Sequence, residues 1–448
     1  MGRLFGTDGV RGVANTELSA ELAFNLGFYG AKVLAGHTDH RPRLLVGHDG
    51  RISAGMLEAA LSAGITASGA DVYSVGLITT PGVAYLTRTQ NFDAGVMISA
   101  SHNSFEFNGI KFFNSQGYKL SDEIEDEIEA AIAAAAAGPA KTGADLGRRY
   151  DYDKGHELYL AYLKEACGPS LTGLKIVLDC ANGAASQMAP VLFKDLGADL
   201  QVLAAEPDGI NINRDCGSTH LDALRRAVVD SASDLGIAFD GDADRMLAVD
   251  ANGDIVDGDK IMLLVASDLR RQGKLPHDTL VVTVMSNLGL HRAAAEMKLN
   301  LATTKVGDRY VLEEMLDKGY GFGGEQSGHL ILSAYSTTGD GMLSALVLLA
   351  ALQNQQLSLV DVQKLMHVYP QVLVPAFIPN ENKSKAMADP QVCALIDRIN
   401  EQMGGVGRVL VRPSGTEPQV RVMLEGDDLD LIQGYAEEIA NLIVERFG

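Results

Sequence analysis

The segment RLLVGHDGRIS, residues 43–53, sets the fold class because a short apolar run leads into a small polar turn and then a helical stretch. The same arrangement recurs in LKIVLDCANGAAS, residues 174–186, and in TLVVTVMSNLGL, residues 279–290. Continuous apolar runs of this length are typical of strands covered on both faces, and the helical stretches between them indicate βαβ units. The sequence therefore predicts three similar α/β domains with parallel strand pairs.

Length and charge limit the possible classes of protein. A chain of 448 residues is too long for one ordinary core, so several domains are expected. The hydrophobic fraction of 46% and the charged fraction of 21% are typical of a soluble globular protein. The net charge of −21 argues against a nucleic-acid partner, and it means that an anionic substrate would need a locally basic cleft.

Nothing in the sequence indicates export or membrane attachment. The four cysteines are Cys167, Cys180, Cys216 and Cys393. They lack CxxC spacing, which argues against a disulfide framework and a zinc site and favours reduced thiols. The start MGRLFGTDGVRG has no apolar stretch, and Gly6 stands where a myristoylation signal needs Ser or Thr. Apolar runs such as ALVLLAAL, residues 345–352, are too short to span a bilayer, so we expect a cytoplasmic protein.

Breaks in composition divide the chain. The acidic helix SDEIEDEIEAAIAAAAA closes at Gly138 and Pro139, and the segment AKTGADLGRR after it resembles a linker. The last part ends in an amphipathic helix from Asp428 onward and is predicted to be a small α+β domain. Pro370 lies near its boundary and marks a candidate hinge region. The predicted domains are residues 1–150, 151–252, 253–368 and 369–448.

Polar clusters follow several predicted strands, at the edge where open parallel sheets bind ligands. Ser101, His102 and Asn103 come directly after the run AGVMISA, and Lys111 follows within the next apolar run. A serine that only caps the next element explains Ser101 equally well. Catalytic-triad chemistry is a poor alternative, because no GxSxG elbow surrounds this serine.

A second cluster, FDGDADR at residues 239–245, carries the alternating aspartates Asp240, Asp242 and Asp244. Three carboxylates this close are stable together only around a cation, and oxygen ligands select a hard one such as Mg²⁺. An EF-hand is excluded because the sixth position from Asp240 is Arg245 and the twelfth is Ala251. An exposed acidic turn without metal remains an alternative. Because Mg²⁺ typically completes its shell with water and a phosphate oxygen, the cluster indicates phosphate chemistry.

The segment GFGGEQSGH, residues 321–329, carries Glu325, Ser327 and His329 among glycines. Its carboxylate and hydroxyl could hydrogen-bond sugar hydroxyls or an amine, although a plain hairpin turn is nearly as good an explanation. It is not a dinucleotide fingerprint, because Gln326 occupies the position of the last glycine.

Two further segments could bind an anion. In RPSGTEPQVRV, residues 412–422, arginines and hydroxyl groups surround a turn whose backbone amides could form a concave anion site, and a solvated turn is the alternative. The residues concerned are Arg412, Ser414, Gly415, Thr416 and Arg421. In FGTDGVRG, residues 5–12, Arg11 could reach a phosphate; a disordered tail is the alternative, although the segment lacks the usual charge bias.

Taken together, these segments resemble the α-D-phosphohexomutase superfamily. The motifs ISASHN, DGDADR, GEQSGH and RPSGTEP occur in the family's order, and the match covers essentially the whole chain. Each motif alone is only moderately specific. The resemblance implies an α/β fold with three similar domains of mixed sheets and a smaller C-terminal α+β domain, around a central active-site cleft. Departures from the family pattern are His48, Gly50, Thr79 and Ser104, which bear on loop rigidity rather than on chemistry.

The resemblance also implies residue roles. Ser101 would be a phosphoserine, and one Mg²⁺ per chain would be held by its phosphate oxygen and by Asp240, Asp242 and Asp244. Lys111 matches the proton-transfer position, and His329 is a second candidate. Arg11 and Arg245 would hold the remaining phosphoryl oxygens, and Glu325 and Ser327 would read the sugar. Arg412, Ser414, Gly415, Thr416 and Arg421 would bind the phosphate that does not react.

The substrate expected from the resemblance is an amino sugar. GEQSGH, NINRDCGSTH at residues 211–220 and FGTDGVRG are most similar to members that interconvert glucosamine 6-phosphate and glucosamine 1-phosphate through a 1,6-bisphosphate, in UDP-N-acetylglucosamine and cell-wall precursor synthesis. A hexose 1,6-bisphosphate is a possible primer, and a monomer or homodimer is expected. Phosphomannomutases and phosphoglucomutases are the near rivals. A sugar-phosphate sensor would have lost the serine or a metal ligand, and a phosphatase would not need the second phosphate site.

Overall fold

The computed structural model describes residues 4–6, 8–35, 38–135, 141–414 and 417–448. The chain divides into two compact units. The first comprises Met1–Met285 and Leu299–Leu365, and the second comprises Ser286–Lys298 and Met366–Gly448.

The first sheet of the first unit has six strands: β1 (Val10–Val13), β2 (Arg43–His48), β3 (Asp71–Leu77), β4 (Ala94–Ile98), β5 (Phe107–Asn114) and β6 (Arg149–Asp151). Their order is β1-β5-β4-β2-β3-β6. The helices beside them are α1 (Ala20–Ala35), α2 (Ala54–Ser68), α3 (Thr80–Thr89) and α4 (Asp122–Ala133). Helix α4 is the predicted acidic helix; its expected stop at Gly138 and Pro139 lies outside the described residues.

The second sheet has the order β11-β10-β9-β7-β8. Its strands are β7 (Lys175–Asp179), β8 (Asp199–Leu203), β9 (Leu235–Phe239), β10 (Met246–Asp250) and β11 (Ile255–Val256), with helices α5 (Gly155–Cys167), α6 (Ala189–Asp195) and α7 (Asp222–Asp230). Strand β7 pairs in parallel with β8 and β9, whereas β10 runs antiparallel to β9.

The third sheet has the order β13-β12-β14-β15. Its strands are β12 (Thr279–Thr283), β13 (Asn300–Thr304), β14 (Phe322–Gly324) and β15 (Leu330–Leu332). The helices of this region are α8 (Gly258–Arg271), α9 (Leu288–Glu296), which belongs to the second unit, α10 (Asp308–Lys318), α11 (Gly341–Gln355) and α12 (Leu359–Val362).

The three sheets share one topology. In each, a central strand pairs in parallel with a second strand, which then forms a hairpin with an antiparallel third: β2, β4 and β5; β7, β9 and β10; β12, β14 and β15. The prediction of three similar α/β domains with mixed sheets is confirmed. The three hairpin loops are residues 99–106, 240–245 and 325–329, which we name the Ser101 loop, the aspartate loop and the Glu325 loop. Each therefore occupies the equivalent place in its own sheet.

The second unit contains the small C-terminal α+β domain predicted from the sequence. Its antiparallel sheet has the order β16-β18-β17, with β16 (Gln371–Phe377), β17 (Arg408–Pro413) and β18 (Gln419–Glu425). Helices α13 (Lys383–Met387), α14 (Pro390–Met403) and α15 (Leu429–Phe447) follow or flank these strands. The amphipathic helix begins as expected, because the Asp428 carboxylate accepts a hydrogen bond from the Leu431 amide at 3.0 Å.

Among the described residues, no single helix is long and apolar enough to cross a membrane. Helix α11 followed by Leu359–Leu365 passes the test of length and composition only as a pair bent by 88°. The apolar run in α11 has another explanation, because residues such as Leu343, Leu346 and Leu348 are fully buried.

Candidate active site

Ser101 lies in the hairpin between β4 and β5 with its hydroxyl directed at the aspartate loop. Its Oγ donates to Asp240 Oδ2 at 2.6 Å, and the side chain is buried. Its backbone φ of 53° is in the left-handed region, which costs free energy for a residue other than glycine. The observed bond contrasts with the simple capping explanation and brings two of the predicted site segments together.

The three aspartates form one buried cluster. One carboxylate oxygen from each of Asp240, Asp242 and Asp244 lies within 4.8 Å of the others. Burial raises the pKa of Asp240 well above its usual range, and the charges of Asp244 and Asp242 raise it further. The Oδ1 atoms of Asp242 and Asp244 are buried without a hydrogen-bond partner. A hard cation would satisfy these oxygens and relieve the repulsion, so the residues fit a metal site and not an exposed acidic turn.

Lys111 projects from β5 into the same cluster. Its Nζ lies 2.8 Å from Asp242 Oδ2, 3.0 Å from Asp8 Oδ2 and 3.8 Å from Asp244 Oδ2. Burial alone would lower the pKa of Lys111, but these carboxylates outweigh it and raise the pKa above its usual range. Lys111 is therefore an ammonium that balances the carboxylates of the cluster.

His329 and Arg245 flank the third aspartate. His329 Nδ1 lies 3.6 Å from Asp244 Oδ1, and Arg245 Nε lies 3.8 Å from the same oxygen. Burial would lower the pKa of His329, but Asp244 and Asp308 raise it. The Nε of Arg245 is buried and has no hydrogen-bond partner. It is thus available to a ligand oxygen.

Arg11 also lies in this group. Its guanidinium pairs with Asp8, and its Nε is buried without a partner. Burial would lower the pKa of Arg11, but Asp8, Asp242 and Asp244 raise it. The structure therefore places Arg11 on strand β1, where the charges of Asp8, Asp242 and Asp244 act on it.

The Glu325 loop carries the two residues that the sequence analysis assigns to the sugar, Glu325 and Ser327. Glu325 Oε1 accepts from the Gly307 amide at 3.1 Å, and Ser327 Oγ lies 3.5 Å from Glu325 Oε2. Both side chains are half-buried. The loop is indeed a hairpin turn, but the Glu325 charge also acts on Arg245, which connects it electrostatically to the aspartates.

Sequence reasoning missed four residues of this cluster. Lys119 Nζ lies 2.5 Å from both Asp8 Oδ1 and Asp308 Oδ2, and Thr80 Oγ1 donates to Asp242 Oδ2 at 2.5 Å. Asp8 stands inside the segment that singled out Arg11, so it could have been named. Lys119, Asp308 and Thr80 lie outside every polar cluster of the sequence, and only the fold brings them to the site.

The predicted anion-binding turn lies in the second unit. Arg412 and Arg421 are directly opposite each other on β17 and β18. Burial lowers the pKa of Arg412, and the neighbouring positive charge of Arg421 lowers it further. An anion would relieve this repulsion. Ser414 is buried at the end of β17, while Gly415 and Thr416 lie outside the described residues.

Two further residues hold this turn. Lys383 Nζ donates to Ser414 O at 2.7 Å and to Glu417 O at 2.5 Å. Glu417 Oε2 accepts from Arg421 at 2.7 Å, and the Glu417 amide donates to Ser414 Oγ at 3.2 Å. Lys383 precedes the predicted segment by about 30 residues, so motif reading could not associate the two.

Asp340 lies at the start of helix α11, beside the aspartate loop. It caps α11 by accepting from the Leu343 amide at 3.0 Å, and Tyr159 Oη donates to it at 2.6 Å. The next residue, Gly341, donates its amide to Ala243 O at 2.9 Å. Burial raises the pKa of Asp340 to about 6, although the two hydrogen bonds oppose the shift.

Stability is therefore expected to depend on pH through Asp340. The folded-state pKa is above the ordinary value, so ionised Asp340 costs folding free energy above pH 6, and stability falls as pH rises from about 4 to about 6. An Asp340→Asn variant keeps the capping oxygen without the charge. We expect it to gain on the order of 2 kcal/mol over the wild type at pH 8 and little at pH 4. Thermal melts of both proteins across this range test it, and a difference that does not change with pH would contradict it.

Comparisons with known proteins find similar domains, folds and sequences. Four ranges match the phosphoglucomutase/phosphomannomutase domains I, II, III and C-terminal: residues 2–138, 157–253, 257–369 and 378–442. A solved phosphoglucomutase/phosphomannomutase family protein from Burkholderia thailandensis covers 100% of this chain and 98% of its own, with a TM-score of 0.83 at 24% identity. Aspergillus fumigatus N-acetylphosphoglucosamine mutase, solved with GlcNAc-6P and magnesium, covers 99% and 96%, with a TM-score of 0.68 at 18% identity. These two likenesses concern the fold alone.

Curated relatives are much more similar in sequence. The phosphoglucosamine mutase of Caldicellulosiruptor saccharolyticus is 55% identical over 450 residues, and that of Clostridioides difficile is 54% identical over 447 residues. The phosphoglucosamine mutase of Acetivibrio thermocellus is 53% identical over 449 residues. All three matches cover 100% of this chain and 100% of the relative. The chain belongs to the phosphoglucosamine mutase family of phosphohexomutase isomerases.

Proposed function

We propose that this chain interconverts glucosamine 6-phosphate and glucosamine 1-phosphate by way of a phosphoserine at Ser101 and a 1,6-bisphosphate. The observation that carries the proposal is the 2.6 Å hydrogen bond from Ser101 Oγ to Asp240, inside a cluster that also contains Lys111. A hydroxyl that lies among cationic side chains and carboxylate oxygens able to bind Mg²⁺ is suited to exchange a phosphoryl group.

Asp240, Asp242 and Asp244 would hold one Mg²⁺, and their unpartnered oxygens support this assignment. When bound, the metal ion supplies positive charge against the charge that develops on the transferring phosphoryl group. The unpaired Nε atoms of Arg11 and Arg245 would donate to the other phosphoryl oxygens.

Lys111 would handle the proton of the attacking sugar hydroxyl. Because it is an ammonium among carboxylates, it must lose a proton before it can accept one. Asp8 and Asp242 fix the position of its Nζ. His329, paired with Asp244, is the second candidate for proton transfer.

The remaining residues would orient the sugar. Glu325 and Ser327 would hydrogen-bond its hydroxyls or its amine, and Arg412, Ser414, Gly415, Thr416 and Arg421 would bind the phosphate that is not reacting. Transfer of the phosphoryl group from Ser101 to the sugar then gives the bisphosphate. This intermediate must reorient in the site and return its other phosphoryl group to Ser101. Binding of either phosphate at one distal site lets both ends react at one serine.

Several wider assignments belong to the same proposal. A hexose 1,6-bisphosphate would prime Ser101. The product is a sugar 1-phosphate, the type of compound that nucleotidyl transfer consumes, and we place it before UDP-N-acetylglucosamine and cell-wall precursor synthesis in the cytoplasm. The domains would be residues 1–150, 151–252, 253–368 and 369–448, and the four ranges matched by the family support these boundaries.

The decisive experiment compares substrates. The kcat/KM values for glucosamine, glucose and mannose 6-phosphates are measured with Mg²⁺ and a hexose 1,6-bisphosphate as primer. We expect a preference for glucosamine 6-phosphate of about tenfold or more, because a carboxylate at the sugar favours an amine. A Glu325→Gln variant is expected to reduce this preference and to alter glucose turnover little. Faster turnover of glucose or mannose phosphate would contradict the amino-sugar assignment.

A further inference from the structure

Arg51 is the largest fully buried side chain among the described residues, and it points into the Ser101 loop. Its Nε donates to Asp49 Oδ2 at 2.8 Å, and both side chains are inaccessible to solvent. The rest of the guanidinium donates to four backbone carbonyls of the loop and its end: Ser101 at 3.0 Å, Asn103 at 2.8 Å, Phe107 at 3.0 Å and Ser104.

A guanidinium has five N–H donors, and all five of Arg51 are used here. Four carbonyl dipoles directed at one point repel one another unless a cation occupies that point. Buried carbonyls without a partner are also costly. The conformation of the loop therefore depends on the charge and on the planar fork of Arg51, which a lysine cannot reproduce.

The Arg51–Asp49 ion pair is also connected to the backbone amide of Ser101 through Ser99. Asp49 Oδ2 also accepts from Ser99 Oγ at 2.7 Å, and Ser99 Oγ in turn accepts from the Ser101 amide at 2.9 Å. Arg51 and Asp49 thus fix both peptide groups of a residue whose φ is 53°. Contacts at both sides are needed to maintain such a disfavoured conformation.

The position of this backbone affects the reacting atoms. Asn213 Nδ2 donates to the carbonyls of Ser101 at 2.9 Å and of Asn103 at 3.0 Å. A Cβ on Gly241 would lie only 2.5 Å from Ser101 O, so the aspartate loop packs directly on the carbonyl that Arg51 holds. A shift of this carbonyl would move Ser101 Oγ relative to Asp240.

We propose that Arg51, acting through Asp49 and Ser99, is a positioning residue for phosphoryl transfer at Ser101. It contacts no reacting atom, and its role is to hold the nucleophile's backbone against the aspartate loop. The inference rests on the proposed function, because it requires that Ser101 carries the phosphoryl group.

The test is an Arg51→Lys variant in the full chain. Lysine keeps the charge but has one nitrogen and three donors, so most of the carbonyl contacts are lost. We expect kcat to fall about 100-fold through misplacement of the nucleophile, while KM for glucosamine 6-phosphate changes less than about threefold. Arg43→Lys is the matched control, since Arg43 begins β2, the strand that leads to the turn of Arg51, but stacks on Tyr73 and Phe92, and it should keep the wild-type kcat.

Two readouts separate positioning from a loss of folded enzyme. Mass spectrometry gives the fraction phosphorylated at Ser101, to which kcat is normalised, and ³¹P NMR of the phosphoenzyme reports the environment of the phosphoserine. A slow, folded and phosphorylated variant with a shifted resonance is the expected result. Wild-type kcat per phosphoserine would overturn the inference. If wild-type enzyme carries no phosphoserine at position 101, the proposed function fails, and the inference fails with it.

A second variant decides the question if Arg51→Lys does not fold. Ser99→Ala removes only the hydroxyl that links Asp49 to the Ser101 amide. We expect it to fold and to lower kcat per phosphoserine about tenfold with little change in KM. An unchanged kcat in this variant would overturn the proposal.

Discussion

Removal of the Ser101 hydroxyl is expected to reduce kcat by a factor on the order of 10⁴ or more, because no other group can then carry the phosphoryl between the two ends of the sugar. Two variants test this. Ser101→Ala is the conservative change, whereas Ser101→Gly also suits the backbone φ of 53°. In both, mass spectrometry after incubation with a hexose 1,6-bisphosphate should find no phosphoserine in this loop.

The neighbouring serine, Ser99, cannot replace it. Ser99 Oγ donates to Asp49 and accepts from the Ser101 amide, so it is held away from the reaction. Ser104→Ala is the control, because Ser104 is exposed on the same loop and only its carbonyl is held by Arg51. This control should keep wild-type kcat. Appreciable turnover by folded Ser101→Gly enzyme would show that the phosphoryl group travels by another route.

The fold was predictable where local patterns decide it. The strands β2, β7 and β12 are continuous apolar runs followed by small polar turns, and the structure pairs each of them in parallel. The pairing order was not predictable, because the antiparallel strands β5, β10 and β15 are placed by contacts across the sheet and not by their own pattern. This pairing makes the three site loops equivalent.

The site was predictable only where its residues stand in compact motifs. Ser101 and the three aspartates were identified from two short segments, and the structure brings these segments together. Lys119 and Asp308 were not identified, because they are 189 residues apart and no motif contains them. Arg51 was missed for a different reason: arginine in a polar turn is usually exposed, and only the fold shows that this one is buried among carbonyls.

Neutralising one carboxylate of the aspartate triad is expected to raise the stability of the metal-free protein and to lower its activity with Mg²⁺. Burial and the charges of Asp244 and Asp242 raise the pKa of Asp240 well above its usual range, so ionised Asp240 costs folding free energy without metal. An Asp240→Asn variant should therefore melt at a higher temperature than wild type in EDTA at pH 8. In Mg²⁺ it should lose most of the metal-dependent rise in Tm, and its kcat should fall about 10³-fold because a charged ligand is missing.

An exposed aspartate in the same domain provides the control. Asp254→Asn also removes one carboxylate, but Asp254 is exposed in the turn after β10, so this variant should match wild type in Tm, in response to Mg²⁺ and in kcat. If Asp240→Asn is less stable in EDTA and gains as much from Mg²⁺ as wild type does, the triad is not the metal site. The expected gain in stability in EDTA has a local cause. Lys111 Nζ lies 2.8 Å from Asp242 and 3.8 Å from Asp244, whereas burial and these two charges disfavour ionised Asp240, which the substitution makes neutral.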